Sequence, residues 1–247
     1  MTSMRPLSPE ELLKVWEAGF GQAPAQRALA LLAAVCPEST RDALAALSIG
    51  QRDAKLLTLR QGLWGPQMEA VVVCPGCREK LELHLDAQEM LSASPGNHTG
   101  EISLSVENFN VIFRLPTSLD LLDQSGQRAT EDVPALLFER CVLSAQQGED
   151  PVSSDKLPAE VVAEVIKSMA EADPLADVQL GLVCPSCDHQ WHAIFDIVSF
   201  IWTEIEVWAW RILSDVHTLA RAYGWSEKEI LTISPTRRQF YLEMVGA

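Results

Sequence analysis

The chain is poor in basic residues, since 19 Lys and Arg stand against 34 Asp and Glu and leave a formal net charge of −15. This charge repels a phosphate backbone, so the composition disfavours a nucleic-acid-binding protein. Long apolar runs are also missing, because no stretch reaches the about 18 uninterrupted apolar residues of a membrane-spanning helix. The amino-terminal residues lack the apolar core of a signal peptide. We therefore expect a cytoplasmic protein, in which paired cysteines indicate a metal before a disulfide.

The familiar sequence signatures of catalysis are absent as well. The chain contains no Walker loop, no Gly-X-Gly-X-X-Gly, no Gly-X-Ser-X-Gly elbow and no His-Glu-X-X-His. Its hydrophobic fraction of 47% and charged fraction of 21% are ordinary for a globular protein, so a packed core is expected. The sequence thus predicts a folded protein that is not an enzyme.

Helical signals open the chain. Ser8 and Glu11 have the spacing of a capping box around Pro9, which predicts the start of the first helix. Apolar runs separated by turn residues predict further short helices over residues 25–35, 43–47 and 54–63.

In the middle of the chain, apolar and polar residues alternate with the period of two that is typical of strands. This alternation flanks two Cys-Pro-X-Cys sequences and recurs on both sides of residues 108–110, which predicts a hairpin. Helical spacing returns at 133–143 and 159–169, with a polar loop over 146–155 between them. We expect a small antiparallel sheet with a metal knuckle at one edge.

The carboxyl end is helical again. From Ile197 to Tyr223 apolar residues recur every three or four positions, which predicts a long amphipathic helix that Gly224 ends. Capping signals at Ser226 and Ser234 predict two short helices after it. The fold class is therefore α+β, mainly helical, with a small antiparallel sheet and a zinc-ribbon-like site.

These patterns divide the chain into three regions. Residues 1–66 form an amino-terminal helical region, and residues 67–196 form a zinc-ribbon-like region with an inserted sheet and helices at 88–180. Residues 197–247 form the carboxyl-terminal helical region. We expect the three regions to form one compact unit.

The four cysteines of the two Cys-Pro-X-Cys sequences are the strongest candidate site. Cys74 and Cys77 form one pair, Cys184 and Cys187 the other, and each tight turn directs two sulfur atoms at one point. Two such turns complete a tetrahedron, so the spacing predicts structural Zn²⁺. A redox Cys-X-X-Cys is disfavoured because both turns lie between strand-like segments instead of at a helix amino terminus.

Other candidate ligands are weaker. His189 and His192 lie close to the second pair, and either one is an alternative to a cysteine ligand, although a histidine there is more often outside the ligand set. Cys36 and Cys141 have apolar helical neighbours and are expected in the core. A four-thiolate shell leaves no open position for water, which favours a structural over a catalytic metal.

With these motifs in view, the chain resembles the T-even-type phage baseplate hub assembly chaperones, whose relatives occur in gene clusters for contractile phage tails and extracellular contractile injection systems. Besides the two cysteine pairs, the resemblance rests on Arg27-Ala-Leu-Ala-Leu-Leu with Cys36-Pro-Glu, Leu47-Ser-Ile-Gly-Gln-Arg-Asp, Phe113-Arg-Leu-Pro-Thr-Ser, Asp173-Pro-Leu-Ala, Trp208-Ala-Trp-Arg, Val216-His-Thr-Leu-Ala-Arg-Ala-Tyr-Gly-Trp-Ser-Glu and Ser234-Pro-Thr-Arg-Arg-Gln-Phe-Tyr-Leu. It implies a non-enzymatic role in building a baseplate or hub, with baseplate, hub, tube or tape-measure proteins as partners.

The carboxyl end combines Trp, Tyr and Arg, the residue types that dominate binding hot spots. We expect a partner surface there, made of Trp225, Ile230, Arg237, Arg238, Phe240 and Tyr241. In the alternative, the aromatic residues pack the last helix onto the long one and the arginines cap carbonyl groups. Trp208 fits the apolar stripe of the long helix, whereas Trp202 and Trp210 fall off it and are either core or interface.

Two other function classes remain open. A zinc-ribbon adaptor with a regulatory role is the main alternative, and co-purification with polymerase or DNA instead of tail proteins would identify it. An enzyme is the third class, which no paired acid and base or open metal site supports.

Overall fold

The computed structural model describes residues 4–92, 100–122 and 133–246. The chain divides into two compact units: unit 1 comprises Met1–Ser39 and Val198–Ala247, and unit 2 comprises Thr40–Ile197. Residues 40–66, which the sequence pattern groups with the amino-terminal helices, belong to unit 2. Among the described residues, no helix combines the length and the apolar character that crossing a bilayer requires.

The helices in chain order are α1 (Pro9–Ala18), α2 (Pro24–Val35), α3 (Arg41–Ala45), α4 (Ile49–Trp64), α5 (Ala87–Ser92), α6 (Ser118–Leu122), α7 (Val133–Cys141), α8 (Ala159–Ala172), α9 (Ile197–Tyr223), α10 (Glu227–Thr232) and α11 (Pro235–Gly246). The strands are β1 (Gln67–Val73), β2 (Lys80–Asp86), β3 (Glu101–Val106), β4 (Phe109–Arg114), β5 (Val142–Gln147), β6 (Asp150–Pro151), β7 (Gln179–Val183) and β8 (Gln190–Ile194). The predicted α+β, mainly helical fold is confirmed.

The predicted helix starts follow from local capping. Ser8 Oγ accepts a hydrogen bond from the Glu11 N–H at 3.3 Å, while a Glu11 carboxylate oxygen accepts the Ser8 N–H at 2.9 Å. Ser226 and Glu229 repeat this reciprocal pair at the start of α10. At the end of α9, Gly224 adopts a φ of 69°, a left-handed conformation that ends the helix.

One predicted helix is too long, and the loop after it is partly strand. The helix expected to reach residue 143 ends at Cys141, and β5 begins at the next residue. β5 and β6 also occupy part of the loop expected over 146–155. The physical reason is non-local, because β5 pairs with β4 over residues 109–113 and a long-range strand partner overrides the local helical pattern.

The predicted single small sheet is in fact three separate sheets. β3, β4, β5 and β6 form a four-stranded antiparallel sheet, whereas β1–β2 and β7–β8 are independent two-stranded hairpins. Each cysteine pair is therefore the turn of its own hairpin and does not lie at the edge of the larger sheet. The chain continues from β2 into α5 and from β8 into α9, so neither hairpin is followed by a third strand that could extend it.

Unit 1 has its own apolar core, in which Ile212, Val216 and Leu219 of α9 pack with Leu13 of α1 and Ile230 of α10. Partly buried Trp208 packs against this core, as its place on the apolar stripe predicts.

The two tryptophans that fall off the stripe have different environments. Trp202 is 5% exposed, with Arg27 Cζ lying 4.7 Å from its ring centroid. A Cβ added at Gly19 would lie 2.1 Å from the Trp202 ring, so this position needs glycine. Trp210 is 65% exposed. The first is therefore a core residue and the second is a surface residue.

Unit 2 has a second core under the four-stranded sheet. Val161 and Val165 of α8 pack with Val111 and Phe113 of β4. At the start of α4, the buried carboxylate of Asp173 accepts the Gly50 N–H at 2.8 Å. This bond joins two segments of the chain that are far apart in sequence, on the same unit that carries the cysteine hairpins.

Candidate metal centre

Both Cys-Pro-X-Cys turns have the same backbone geometry. In the first, the Cys74 N–H donates to Glu79 O and its carbonyl accepts from the Arg78 N–H, both at 2.9 Å. In the second, Cys184 makes the equivalent bonds with His189 and Asp188, again at 2.9 Å. Arg78 and Asp188 adopt φ values of 64° and 57°, the left-handed turn that brings the chain back into the second strand.

The two hairpins also share one register. Val72 pairs with Leu81 in the first hairpin, and Leu182 pairs with Trp191 in the second. Each residue of the second pair stands 110 positions after its counterpart in the first pair. The residues after the hairpins correspond too, because Asp86 precedes α5 and Asp196 precedes α9. The site is thus built from two copies of one structural element. The two copies share few identical residues, so the sequence alone hardly reveals the repeat.

The two turns bring the four sulfur atoms together. Cys74 Sγ lies 3.7 Å from Cys187 Sγ, and Cys77 Sγ lies 3.6 Å from Cys184 Sγ. All four sulfurs lie within 4.8 Å of one another. A tetrahedral site with metal–sulfur bonds of about 2.3 Å has sulfur–sulfur separations of about 3.8 Å, so the cluster fits a metal ion bound by four thiolates.

Burial divides the four cysteines into two kinds. Cys74 and Cys184 are fully buried, whereas Cys77 and Cys187 are exposed. Each pair contributes one sulfur of each kind, which agrees with the twofold relationship of the hairpins. The exposed side gives a metal ion a route into the cluster without opening the core.

Two thiols of the cluster, those of Cys74 and Cys77, have perturbed pKa values. Burial raises the pKa of Cys74, but the backbone N–H groups of Cys77 and Gly76 stabilise its thiolate and bring the pKa down to about 7. For Cys77, the Glu79 N–H lowers the pKa, while hydrogen bonds with Cys187 and the other two thiols outweigh it and raise the pKa to about 12. A metal ion bound at the cluster would displace the protons of these two thiols.

Neither histidine near the second pair belongs to the cluster. Among the described residues, the group with metal-binding geometry contains the four cysteines and no histidine. His189 stacks on Trp191 with ring centroids 5.9 Å apart and an interplanar angle of 22°. His192 is exposed on β8. The alternative in which a histidine replaces a cysteine ligand is therefore not supported by the geometry.

The remaining cysteines are buried and lie apart from the cluster. Cys36 and Cys141 are both 0% exposed, in unit 1 and unit 2 respectively. Burial raises the pKa of the Cys141 thiol to about 11, so this side chain stays protonated at neutral pH. Both residues are part of the apolar interior, as the sequence predicts.

The six residues expected to form a partner surface are divided between interior and exterior. Ile230 is fully buried in the core of unit 1. Arg238 is 8% exposed, and its Nε donates to Asp215 Oδ2 at 3.1 Å. These two residues hold α10 and α11 in place and do not offer a surface to a partner. The sequence misleads here because a hot-spot composition does not distinguish the buried from the exposed face of a helix.

The other four residues are accessible to different degrees. Trp225 and Tyr241 are half-buried and pack with Tyr223, with ring centroids 4.9 Å apart for the Trp225–Tyr241 pair. Arg237 is exposed and Phe240 is 57% exposed. Met244, which is not one of these six residues, is 65% exposed one helical turn beyond Phe240. Arg237, Phe240 and Met244 thus lie on one exposed face of α11.

Comparison with known proteins gives one family. A sequence model of the family described as T4 bacteriophage base plate protein matches residues 22–202. The matched part contains all four cysteines of the cluster and ends before the carboxyl-terminal surface. No curated protein and no solved structure matches the chain.

Proposed function

The chain belongs to the T4 bacteriophage base plate protein family, and from this premise we propose that it is a non-enzymatic assembly factor or minor component of a contractile-tail baseplate or hub. The observation that carries the proposal is the extent of the match, which spans residues 22–202 and includes elements of both units. Baseplate, hub, tube or tape-measure proteins are the proposed partners. The host system is a phage or a contractile injection system.

The proposed metal is structural Zn²⁺ held by the four cysteines. Support comes from the sulfur–sulfur distances of 3.6 and 3.7 Å and from the ligand type, because four thiolates suit zinc and leave no position for water. The metal would join two hairpins whose cysteines are separated by more than 100 residues. Its binding free energy would then act as folding free energy for unit 2.

The proposed partner-binding element is the exposed face of α11. It presents Phe240 and Met244 with the cationic Arg237 one turn before Phe240. An exposed aromatic side chain beside an arginine is a frequent anchor in protein interfaces. Tyr241 follows Phe240 in the chain, and its ring packs against that of Trp225.

Deletion of the gene from its phage or injection-system cluster tests the proposal. We expect sheath and tube proteins to accumulate without complete baseplates, and the wild-type gene supplied in trans to restore whole particles. Affinity purification of the tagged protein during assembly should recover tail proteins. Complete particles in the deletion strain would contradict the proposed role.

The regulatory zinc-ribbon adaptor remains the second candidate. Its supporting observation is the pair of exposed zinc-type turns, which such adaptors also contain. The same affinity purification discriminates the two functions, because an adaptor would recover polymerase or another regulator and no tail proteins.

A further inference from the structure

A groove of about 510 Å³ lies beside the metal centre, between the two cysteine hairpins. Consecutive residues 79–83 of the first hairpin form one wall, and consecutive Leu182 and Val183 of β7 form the other. Successive side chains of a strand point to opposite faces. When both faces of a strand line the same groove, the groove follows the edge of the strand. This groove therefore runs along the outer edges of β2 and β7.

Both of these edges carry free backbone groups. β2 pairs with β1 and β7 pairs with β8, and neither strand has a second neighbour among the described residues. The bond from the Cys74 N–H to Glu79 O fixes which residues of β2 face β1. Because these positions alternate in an antiparallel pair, the N–H and C=O groups of Lys80, Glu82 and His84 point away from β1, towards the outer edge.

On the other side of the two hairpins, the equivalent positions carry aromatic side chains. There His189 lies against Gly76 and stacks on Trp191. The corresponding positions of the open groove, 110 residues earlier, are Glu79 and Leu81, which leave the space free.

The charge of the open groove limits its occupant. Glu79 and Glu82 line it together with one cation, Lys80. The surrounding unit is more acidic still, since residues 40–197 contain 24 Asp and Glu but 11 Lys and Arg. Leu81, Leu83 and Leu182 supply apolar contacts. An extended chain with alternating apolar and basic side chains complements both features.

We propose that the groove binds an extended segment of another protein, rich in alternating apolar and basic residues, which adds as a strand to the free edge of β2. Backbone hydrogen bonds to Lys80, Glu82 and His84 supply affinity, and the acidic rim selects basic side chains. This site is separate from the exposed face of α11, and it does not depend on the tail role. Its occupant is a partner protein, because a second copy of this chain, with a formal net charge of −15, would bring like charge to the acidic rim.

A synthetic peptide tests the proposal on the full-length, zinc-loaded protein. The probe is an eight-residue peptide of alternating Lys and Val, and its counterpart has Glu in place of Lys. Fluorescence anisotropy should give a Kd for the Lys peptide at least about tenfold lower than for the Glu peptide, with a difference that shrinks as salt rises. Hydrogen exchange should slow at the Lys80, Glu82 and His84 amides when the Lys peptide binds. Equal affinity for the two peptides, or no protection of these amides, would overturn the proposal.

Proline variants separate strand addition from charge. Glu82→Pro removes an N–H that faces the groove and is tolerated at a free edge, so the Kd should rise about tenfold or more. Val71→Pro is the matched control, because Val71 is the cross-strand neighbour of Glu82 and its N–H faces the opposite edge. We expect the control to change the Kd less than twofold. Glu82→Gln keeps the N–H and should weaken binding about threefold, by charge alone.

Three further measurements test whether the variants stay folded, whether the peptide adds to β2 and whether the occupant is a partner protein. Zinc content equal to that of the wild type shows that each variant keeps its hairpins. Equal loss of affinity in Val71→Pro and Glu82→Pro would overturn strand addition at β2. Protection of the β2 amides that rises with protein concentration without peptide would identify a second copy as the occupant and would overturn the partner assignment.

Discussion

His189 of the second hairpin lies directly over Gly76 of the first, so that a Cβ added to Gly76 would be 3.2 Å from His189 Cγ. The same Cβ would lie 3.6 Å from Cys187 Sγ. A side chain at this position therefore has to displace the imidazole by a few tenths of an ångström, whereas its contact with the sulfur is an ordinary van der Waals contact. The third residue of the first Cys-Pro-X-Cys turn is glycine for this reason, whereas Ser186 occupies the equivalent place in the second turn.

The first prediction is that Gly76→Ala weakens the metal site. The added methyl group is tighter against His189 than ordinary van der Waals contact, and we expect a loss of ~1 kcal/mol in unfolding free energy together with faster removal of zinc by a chelator. His189→Ala in the same chain should restore both quantities. Ser186→Ala is the matched control and should leave zinc release unchanged. Failure of His189→Ala to restore Gly76→Ala would show that the contact is not the cause.

The second prediction concerns the metal itself. Elemental analysis of protein purified without chelator should find about one zinc per chain. Cys184→Ser should lose the zinc and unfold the hairpins of unit 2, because the metal supplies folding free energy there. Cys141→Ser is the matched control, since Cys141 is equally buried but lies outside the cluster. Wild-type zinc content in Cys184→Ser would show that this residue is not a ligand.

The local parts of the fold are the parts that the sequence predicts. The Ser8 and Ser226 capping boxes, the end of α9 at Gly224 and the cysteine turns each depend on a few neighbouring residues. The four-cysteine cluster is predicted from the spacing of the two Cys-Pro-X-Cys sequences, because a metal ion bound by four thiolates requires the four sulfur atoms to lie close together. What the sequence does not predict depends on distant partners, as β5 does on β4.

Which residues are buried at the carboxyl end also depends on distant partners, so the sequence does not predict it. Ile230 and Arg238 have the residue types of an interface, yet Ile230 fills a core and Arg238 pairs with Asp215. Their roles follow from the packing of α10 and α11 in unit 1, which the periodicity of two short helices does not specify. The exposed position of Phe240 is decided by the same packing.

The third prediction explains the glycine of the Leu47-Ser-Ile-Gly-Gln-Arg-Asp motif. A Cβ at Gly50 would lie 2.1 Å from Asp173 Oδ1, the carboxylate that accepts the Gly50 N–H. Gly50→Ala should therefore displace Asp173 and lower the unfolding free energy by about 2 kcal/mol. Gly62→Ala, in the same helix with open space around its Cβ, should raise it by ~0.5–1 kcal/mol. Equal effects in denaturant titrations would contradict this explanation.

The fourth prediction is a pH dependence due to Asp53. Burial raises the pKa of this carboxyl to about 6, although the adjacent Arg52 guanidinium, with Nε at 2.7 Å, opposes the shift. The unfolded value is about 3.9, so between these values the folded state binds more protons than the unfolded state. The contribution of Asp53 to stability therefore rises as the pH falls through about 6.

Asp53→Asn isolates this contribution, because the amide keeps the shape and an acceptor for Arg52 but does not titrate. The unfolding free energy of the wild type relative to Asp53→Asn should increase by about 1 kcal/mol between pH 7.5 and pH 5, at a fixed zinc concentration. A constant difference, or one that falls over this range, would show that Asp53 does not have a raised pKa.

The last prediction separates the interior of the carboxyl end from its surface. Phe240 is 57% exposed and Arg237 is exposed, so Phe240→Ser and Arg237→Ser should leave the unfolding free energy within about 0.5 kcal/mol of wild type. Ile230→Ala, at a fully buried position, should lower it by about 2–5 kcal/mol. Truncation after Gly224 would remove Ile230 from the core and is therefore not a clean test of binding.

In affinity purification during tail assembly, the two surface variants should recover at least about tenfold less tail protein than the wild type, since aromatic and arginine side chains dominate interfaces. Gln239→Ala, an exposed position on the same helix about 100° away from Phe240, is the control and should recover as much as the wild type. Full recovery by Phe240→Ser and Arg237→Ser, with their stability unchanged, would show that the face of α11 does not bind the partner.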